Sequence, residues 1–364
     1  MSAALADPLN PSAYQPAAAH ARRRHWQLWR SPADQPPWAR PVLLGIAVVA
    51  AALFAWNITQ AGLAPFYAVA VKSMSESWKA FFYGAFDPKA TITIDKLAGS
   101  FAPQALSARI FGFNQWSLAL PQVIEGVVAV LVMYRVVRRW AGVVPGLLAA
   151  ALLALTPIAA STFGHSMEDG ALVMCLVLAA DAYQRAVIEA RLRSLLWAGV
   201  WVGLGFQAKM LEAWMVLPAL AIGYLVAAPV RLRRRLWHIG AAGAVMLAVS
   251  LSWIALYTLT PASGRPDVDG PTDNSAVAMV FGYNGLERFG ISFPGAVSSG
   301  PAVGGGGGGA GRAGFPAGAP GNTAVPGRPP PAASALAGPS CWEALTPRKS
   351  AGCTRWRRSP SSSA

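Results

Sequence analysis

Charge is scarce in this sequence. Asp, Glu, Lys and Arg make up 13% of its 364 residues, about half their share in an ordinary soluble domain. Acids are scarcer than bases, 16 against 30, and there are only four histidines and three cysteines. Cys175 lies in an apolar block, while Cys341 and Cys353 lie near the end, and their spacing is not that of a metal site. His165 stands near Glu168 and Asp169, but a lone histidine without a second ligand spacing reads as a loop residue. There is no phosphate-cradling glycine loop of the nucleotide-binding type and no nucleophile elbow. The glycine run at 304–309 is low complexity.

What the chain does have is apolar sequence, 54% of its residues. It is gathered into blocks at 41–57, 117–136, 143–160, 170–183, 195–206, 210–230 and 236–259. A membrane helix needs roughly 20 such residues, so a bilayer is the natural solvent and about seven crossings are predicted. The net charge of +14 sits in short arginine clusters between the blocks. Topology accounts for these clusters, and nucleic acid is not expected as a partner.

The clusters set the orientation. Arg22 to Arg24 and Arg30 precede the first block, Arg135, Arg138 and Arg139 follow the second, Arg185, Arg191 and Arg193 follow the fourth, and Arg231 and Arg233 to Arg235 follow the sixth. Every second connection is basic, which puts the N-terminus and these loops in the cytoplasm of a multi-pass cell-membrane protein. Basic clusters at both ends of 195–230 require two crossings there, with the turn near Gln207, Ala208 and Lys209. Residues 1–40 read as a basic cytoplasmic leader, 41–290 as the transmembrane domain with an outer loop at 61–116, and 291–364 as a Gly/Pro-rich disordered tail.

In the long loop, Tyr67, Val71, Met74, Trp78, Phe81 and Phe82 recur at helical steps, predicting one amphipathic helix on the membrane surface. Leu106, Ile110 and Phe111 suggest a second interfacial segment. Ionisable groups at membrane depth are costly. Glu125 and Glu212 are therefore expected to pair with polar groups on neighbouring helices, and Asp181 with Arg185 one turn on. The outward loops collect Asp87, Asp95, Lys96, Glu168, Asp169 and Lys209. A carboxylate beside a lysine at a bilayer edge suits a general base next to an ammonium that holds phosphate. From the residues alone, solvated loop charges are the favoured reading.

A run of motifs in order resembles one family. They are FYAVAVKSMSESWKAFFYGAFDP, TITIDK, QALSARIFGFNQWSLALPQ, LALTPIAA, Lys209-Met210-Leu211 and TDNSAVAMVFGYNGLERFG, covering residues 52–290. Together they are similar to the polytopic glycosyltransferases of family 39, with the GT-C fold, which include protein O-mannosyltransferases and aminoarabinose transferases. The resemblance implies an all-α integral membrane bundle with interfacial helices in its first outer loop. It further implies transfer of a sugar, with inversion, from a polyprenyl-phosphate donor to an acceptor on the outer face.

Carried over residue by residue, it makes Asp95 and Asp169 the catalytic carboxylates and Lys96 and Lys209 the donor-phosphate contacts, with Arg109 as a further phosphate candidate. Partners are then the lipid-linked donor, membrane lipids and an unidentified acceptor. No cofactor is implied, and a divalent metal stays open. Ala64-Pro65 stands where relatives carry an acidic residue, and relatives continue through further helices, so the chain reads as C-terminally shortened. The rival expectation is a family member that no longer catalyses.

Overall fold

The structure is a computed structural model and describes residues 29–56, 58–59 and 62–296. Most of the leader and tail expectations therefore lie outside the described residues. Among the described residues the chain is helical, and its only extended pairings are the isolated bridges Ala85 to Thr93 and Ile92 to Asp267.

Each apolar block becomes helix: α1 (Ala39–Ala55), α5 (Gln115–Ala141), α6 (Val143–Leu155) with α7 (Pro157–Gly164), α8 (Asp169–Glu189), α9 (Leu192–Lys209), α10 (Leu217–Ala227) and α11 (Leu232–Ser250) with α12 (Ser252–Leu259). Between α1 and α5 lie α2 (Pro65–Glu76), α3 (Trp78–Tyr83) and α4 (Ala102–Phe111). By length and composition, Gln115–Ala141, Asp169–Glu189 and the helical run Leu192–Ala227, which a reversal at Met210 divides in two, are each long and apolar enough to cross a membrane. The pairs α6/α7 and α11/α12, bent by 62° and 50°, raise that to five, and α1 is a shorter apolar helix.

The breaks have local causes. Pro157 starts α7 and forces Thr156 before it into extended backbone. At the α11/α12 bend, Gln207 Nε2 donates to the carbonyls of Val249 and Ser250 at 2.8 and 3.0 Å, re-satisfying groups that the bend frees.

The helical run from Leu192 to Ala227 is not one rod. Leu195 and Tyr224 share a buried cluster, and the rings of Phe206 and Trp214 lie 4.6 Å apart. A straight helix would separate Leu195 and Tyr224 by about 40 Å at 1.5 Å per residue. The chain therefore reverses where Met210 takes φ 50°, opening the 3-10 segment Met210–Val216. This is the hairpin, turning at Lys209, that the basic clusters required.

The long loop departs from its expectation. Instead of one surface helix, Ser77 in extended backbone separates α2 from α3 and caps α3 through its side chain. Val71 and Met74 are fully buried, in a small core with Ile94, Phe101, Ala105 and Leu118. The helical stripe thus packs against protein, because the loop is long enough to fold back and supply α4 as its partner. Trp78, Phe82, Ile110 and Phe111 remain exposed. Elsewhere α1, α5, α6 and α7 form a second core, where Gly126 admits Phe54 and Phe163, whose rings are 5.1 Å apart.

The bundle consequently has two chemically distinct ends. One, the loop end, carries α2 to α4, the α7/α8 connection and the Lys209 turn. The other carries the basic clusters of Arg135, Arg138 and Arg139, of Arg185, Arg191 and Arg193, and of Arg231 and Arg233 to Arg235.

Candidate functional site

Several separated segments meet at the loop end. Lys96 Nζ lies 3.3 Å from Glu168 Oε1 and donates to Tyr67 Oη at 2.6 Å. The two charged side chains are only 11% and 9% exposed, so this ion pair is screened far less than a surface one. Lys209 pairs with Asp169, the first residue of α8, and with Glu212 Oε2 at 3.3 Å. Gly99 N–H donates to the Gln207 carbonyl at 3.1 Å, and a Cβ on Gly99 would sit 2.5 Å from that oxygen. Glycine thus lets the Asp95-Lys96 loop close onto the Lys209 turn.

The connection carrying Glu168 is clamped from below. Gln122 Nε2 donates to the Met167 carbonyl at 2.8 Å, Ser166 Oγ donates to Gln104 Oε1 at 2.6 Å, and both glutamines are fully buried. Buried amide donors and acceptors paired in this way fix one backbone arrangement, although Gln122 Oε1 itself is left without a partner among the described residues. On the opposite side, Asn284 Nδ2 donates to the Asp95 carbonyl at 2.6 Å, and Arg288 donates to Asn284 Oδ1 at 3.1 Å.

Two carboxylate oxygens, Asp95 Oδ1 and Glu168 Oε2, are buried without a hydrogen-bond partner among the described residues. Burial pushes the Asp95 carboxyl above its ordinary range against the pull of Lys96, with Asp269 and Glu168 adding to the rise. Burial also raises Asp269 and Tyr67. For Lys96, burial works against the charged form, yet Glu168, Tyr67 and Asp95 together hold it above the usual lysine range. The site therefore combines a fixed ammonium with a neighbouring carboxyl adjusted toward accepting a proton.

Asp95, Lys96, Asp169 and Lys209, the four main candidates from sequence, thus lie in one linked cluster. Arg109 does not join it: its guanidinium stacks 3.8 Å from the Trp78 ring centroid and donates to the Met74 carbonyl, fastening α4 to α2 and α3. Asp87 caps its own turn through Thr91. His165 Nδ1 faces the Ser161 carbonyl at 2.8 Å, and no group of His, Cys, Asp and Glu among the described residues is arranged to hold a metal.

Glu212 meets a partner in Lys209, three residues before it at the turn, instead of in a group on a neighbouring helix. Glu125 does not, because its Oε2 is buried without a partner where Gly170 brings α8 against α5. Tyr67, Gln104, Gln122, Asp269 and Asn284 were missed by sequence reasoning. All but Asp269 fall inside the ordered motifs, Gln104 and Gln122 at the two ends of one of them, but nothing in the residues marked them as neighbours of the site.

Residues 100–253 match the family model described as dolichyl-phosphate-mannose-protein mannosyltransferase. The chain is 39% identical over 248 residues to "Putative mannosyltransferase YkcB" of Bacillus subtilis (strain 168), covering 68% of this chain and 35% of that one. It is 38% identical over 247 residues to "Putative mannosyltransferase YycA" of the same organism, covering 68% and 36%. The chain is a relative of the family 39 membrane glycosyltransferases. It spans about a third of the length of these curated relatives. Of the cluster in this family 39 relative, Glu168, Asp169 and Lys209 fall inside the matched segment, and Asp95 and Lys96 lie just before it.

Proposed function

We propose that this chain binds a polyprenyl-phosphate sugar at its loop end, on the outer face of the cell membrane, and transfers the sugar to an acceptor hydroxyl. The observation that carries this reading is the meeting of Lys96 and Lys209 with Asp95, Glu168 and Asp169, from three loops, in a chain related to membrane glycosyltransferases.

The chemistry is a single displacement. The acceptor oxygen bonds to the anomeric carbon as the bond from that carbon to the carrier phosphate breaks, so the configuration inverts. A carboxylate takes the acceptor's proton, and Asp95 is the better placed candidate because Asp169 is already tied to Lys209. The departing phosphate keeps the electron pair of the broken bond, and an ammonium at a low-dielectric edge stabilises it. Lys96 fills that role once phosphate displaces Glu168 from it, with Lys209 as the second cation.

The test is binding of undecaprenyl phosphate to the full chain in detergent, with Lys96→Ala as the paired variant and a sugar-transfer assay on the same preparations. Binding weakened about tenfold, as for loss of one strong charge-assisted contact, supports the donor site. Unchanged binding by a folded variant removes Lys96 from it.

A second reading, lipid-phosphate binding without transfer, is favoured by one observation. Ala64-Pro65, at the start of α2, offers no carboxylate where relatives carry one. Binding without any transfer would select it.

A further inference from the structure

The other end of the bundle holds an unbalanced charge cluster. Asp181, on α8, is 3% exposed and receives three guanidiniums: Arg139 Nη1 at 2.8 Å, Arg185 Nη2 at 2.8 Å and Arg135 Nη2 at 3.1 Å. Three cations against one carboxylate leave two positive charges without a partner in the cluster. Nearby acids are already engaged, Glu189 with Arg191 at 2.9 Å and Asp34 with Arg138 at 2.8 Å. Arg135 and Arg185 are 50% and 41% exposed, so each keeps donors that a further anion can reach.

An independent feature meets this cluster. Between α5 and α8 runs an open groove of about 220 Å³, lined by Met133, Val136, Val173, Leu176, Val177 and Ala180 and almost wholly apolar. Val136, in its lining, is tied to the cluster through Gln184, which donates to the Val136 carbonyl at 2.9 Å and accepts from Arg139 at 3.1 Å. Two of the lining residues, Val136 and Ala180, directly adjoin Arg135 and Asp181 in the chain, so the apolar groove and the arginine cluster are neighbours. A lone inorganic anion has no use for such a groove, whereas an acyl chain does. A ligand that is charged at one end and hydrocarbon beyond it satisfies both features.

We propose that the α5/α8 seam is a binding site for an anionic phospholipid, with its phosphate on Arg135, Arg185 and Arg139 and one acyl chain along Val136, Leu176 and Ala180. The site is separate from the loop-end cluster, and its existence does not depend on any transfer reaction. Arg139 is the cation already fixed by Asp181 and Gln184, while Arg135 and Arg185 close on the headgroup from the two helices.

The test uses the full chain in detergent, with retention of phosphatidylglycerol and of phosphatidylcholine, each carrying palmitoyl and oleoyl chains, read by native mass spectrometry. Inorganic phosphate is the competitor. The expected result is preferential retention of phosphatidylglycerol, reduced about tenfold or more in the double variant Arg135→Gln/Arg185→Gln, which leaves the Arg139 to Asp181 pair in place. Ala180→Phe, which fills the groove, is expected to lower phosphatidylglycerol retention while the arginine cluster stays intact. Equal retention of the two lipids, or undiminished retention by the double variant, overturns the proposal. Displacement of the lipid by millimolar phosphate, with Ala180→Phe unchanged, overturns the lipid assignment and leaves a plain anion site. The double variant carries the decision if Ala180→Phe fails to fold.

Discussion

At the loop end, Lys96 and Lys209 face Asp95, Glu168, Asp169 and Glu212, so four carboxyls surround two ammonium groups. At the arginine end the proportion is reversed, with three guanidiniums on Asp181 alone. The spare capacity differs accordingly. The loop end has buried carboxylate oxygens without donors, and the arginine end has exposed donors without acceptors. A charge at a membrane edge can serve the fold, a ligand or both, and the imbalance shows which groups remain available. By that measure the arginine end attracts anions directly, whereas phosphate at the loop end must compete with the carboxylates already holding the lysines.

Removing Asp181 should break this contrast most severely. Asp181→Ala leaves three converging guanidiniums with no anion, and loss of one partner of a buried ionic cluster typically costs about 3–5 kcal/mol. Thermal melting in detergent should show the largest drop of any variant considered, with partial recovery in Asp181→Ala/Arg139→Met. A drop no larger than that of a surface pair would mean that the guanidiniums stay solvated.

Next in size is Gly170→Ala. Its Cβ would lie 2.0 Å from Gln122 Oε1, so it must push aside the amide that holds the Met167 carbonyl. Overpacking of this kind costs about 1–3 kcal/mol. Because Glu168 follows Met167, undecaprenyl phosphate binding should weaken together with the melting temperature. Weaker melting with unchanged binding would disconnect the clamp from the site.

Glu168→Gln tests the competition itself. Freeing Lys96 should strengthen undecaprenyl phosphate binding several-fold, about 1 kcal/mol, while stability falls because a pair that is 11% and 9% exposed has lost one charge. Weaker binding would make Glu168 part of the ligand site rather than a competitor for it.

A pH effect should follow from Asp95. Its folded-state pKa is raised, chiefly by burial, so between the ordinary carboxylate value of 3.8 and the raised one the folded chain binds more protons than the unfolded chain. Its contribution to stability is therefore greatest at low pH and falls as pH rises through that window. Asp95→Asn should remove this slope, as read from melts compared between acid and neutral pH. A slope of the opposite sign would mean that Lys96 outweighs burial.

The smallest effect belongs to Arg191→Gln. Its pair with Glu189 is 70% and 38% exposed, and such pairs contribute about 0–1 kcal/mol.

Much of this contrast was legible in the residues. Apolar blocks and basic clusters located the helices, and the alternation of the clusters required a reversal at Lys209, which matches the shared buried cluster of Leu195 and Tyr224. Ordered motifs pointed to Asp95, Lys96, Asp169 and Lys209. The long loop was misread because periodicity reports an apolar face without reporting what covers it. Val71 and Met74 look the same whether lipid or α4 lies against them.

The order of helices, the turn that splits 195–230 and the family resemblance were set by local composition and spacing, which act over a few residues and survive in one dimension. Only the tertiary structure decided that Lys96 pairs with Glu168, that Gln104 and Gln122 fix the connection between α7 and α8, and that Arg135, Arg139 and Arg185 share one aspartate. The physical reason is range. Ion pairs and buried amides depend on angstrom-scale distances between residues tens of positions apart, and those distances come from how helices pack, which no periodicity along the chain encodes.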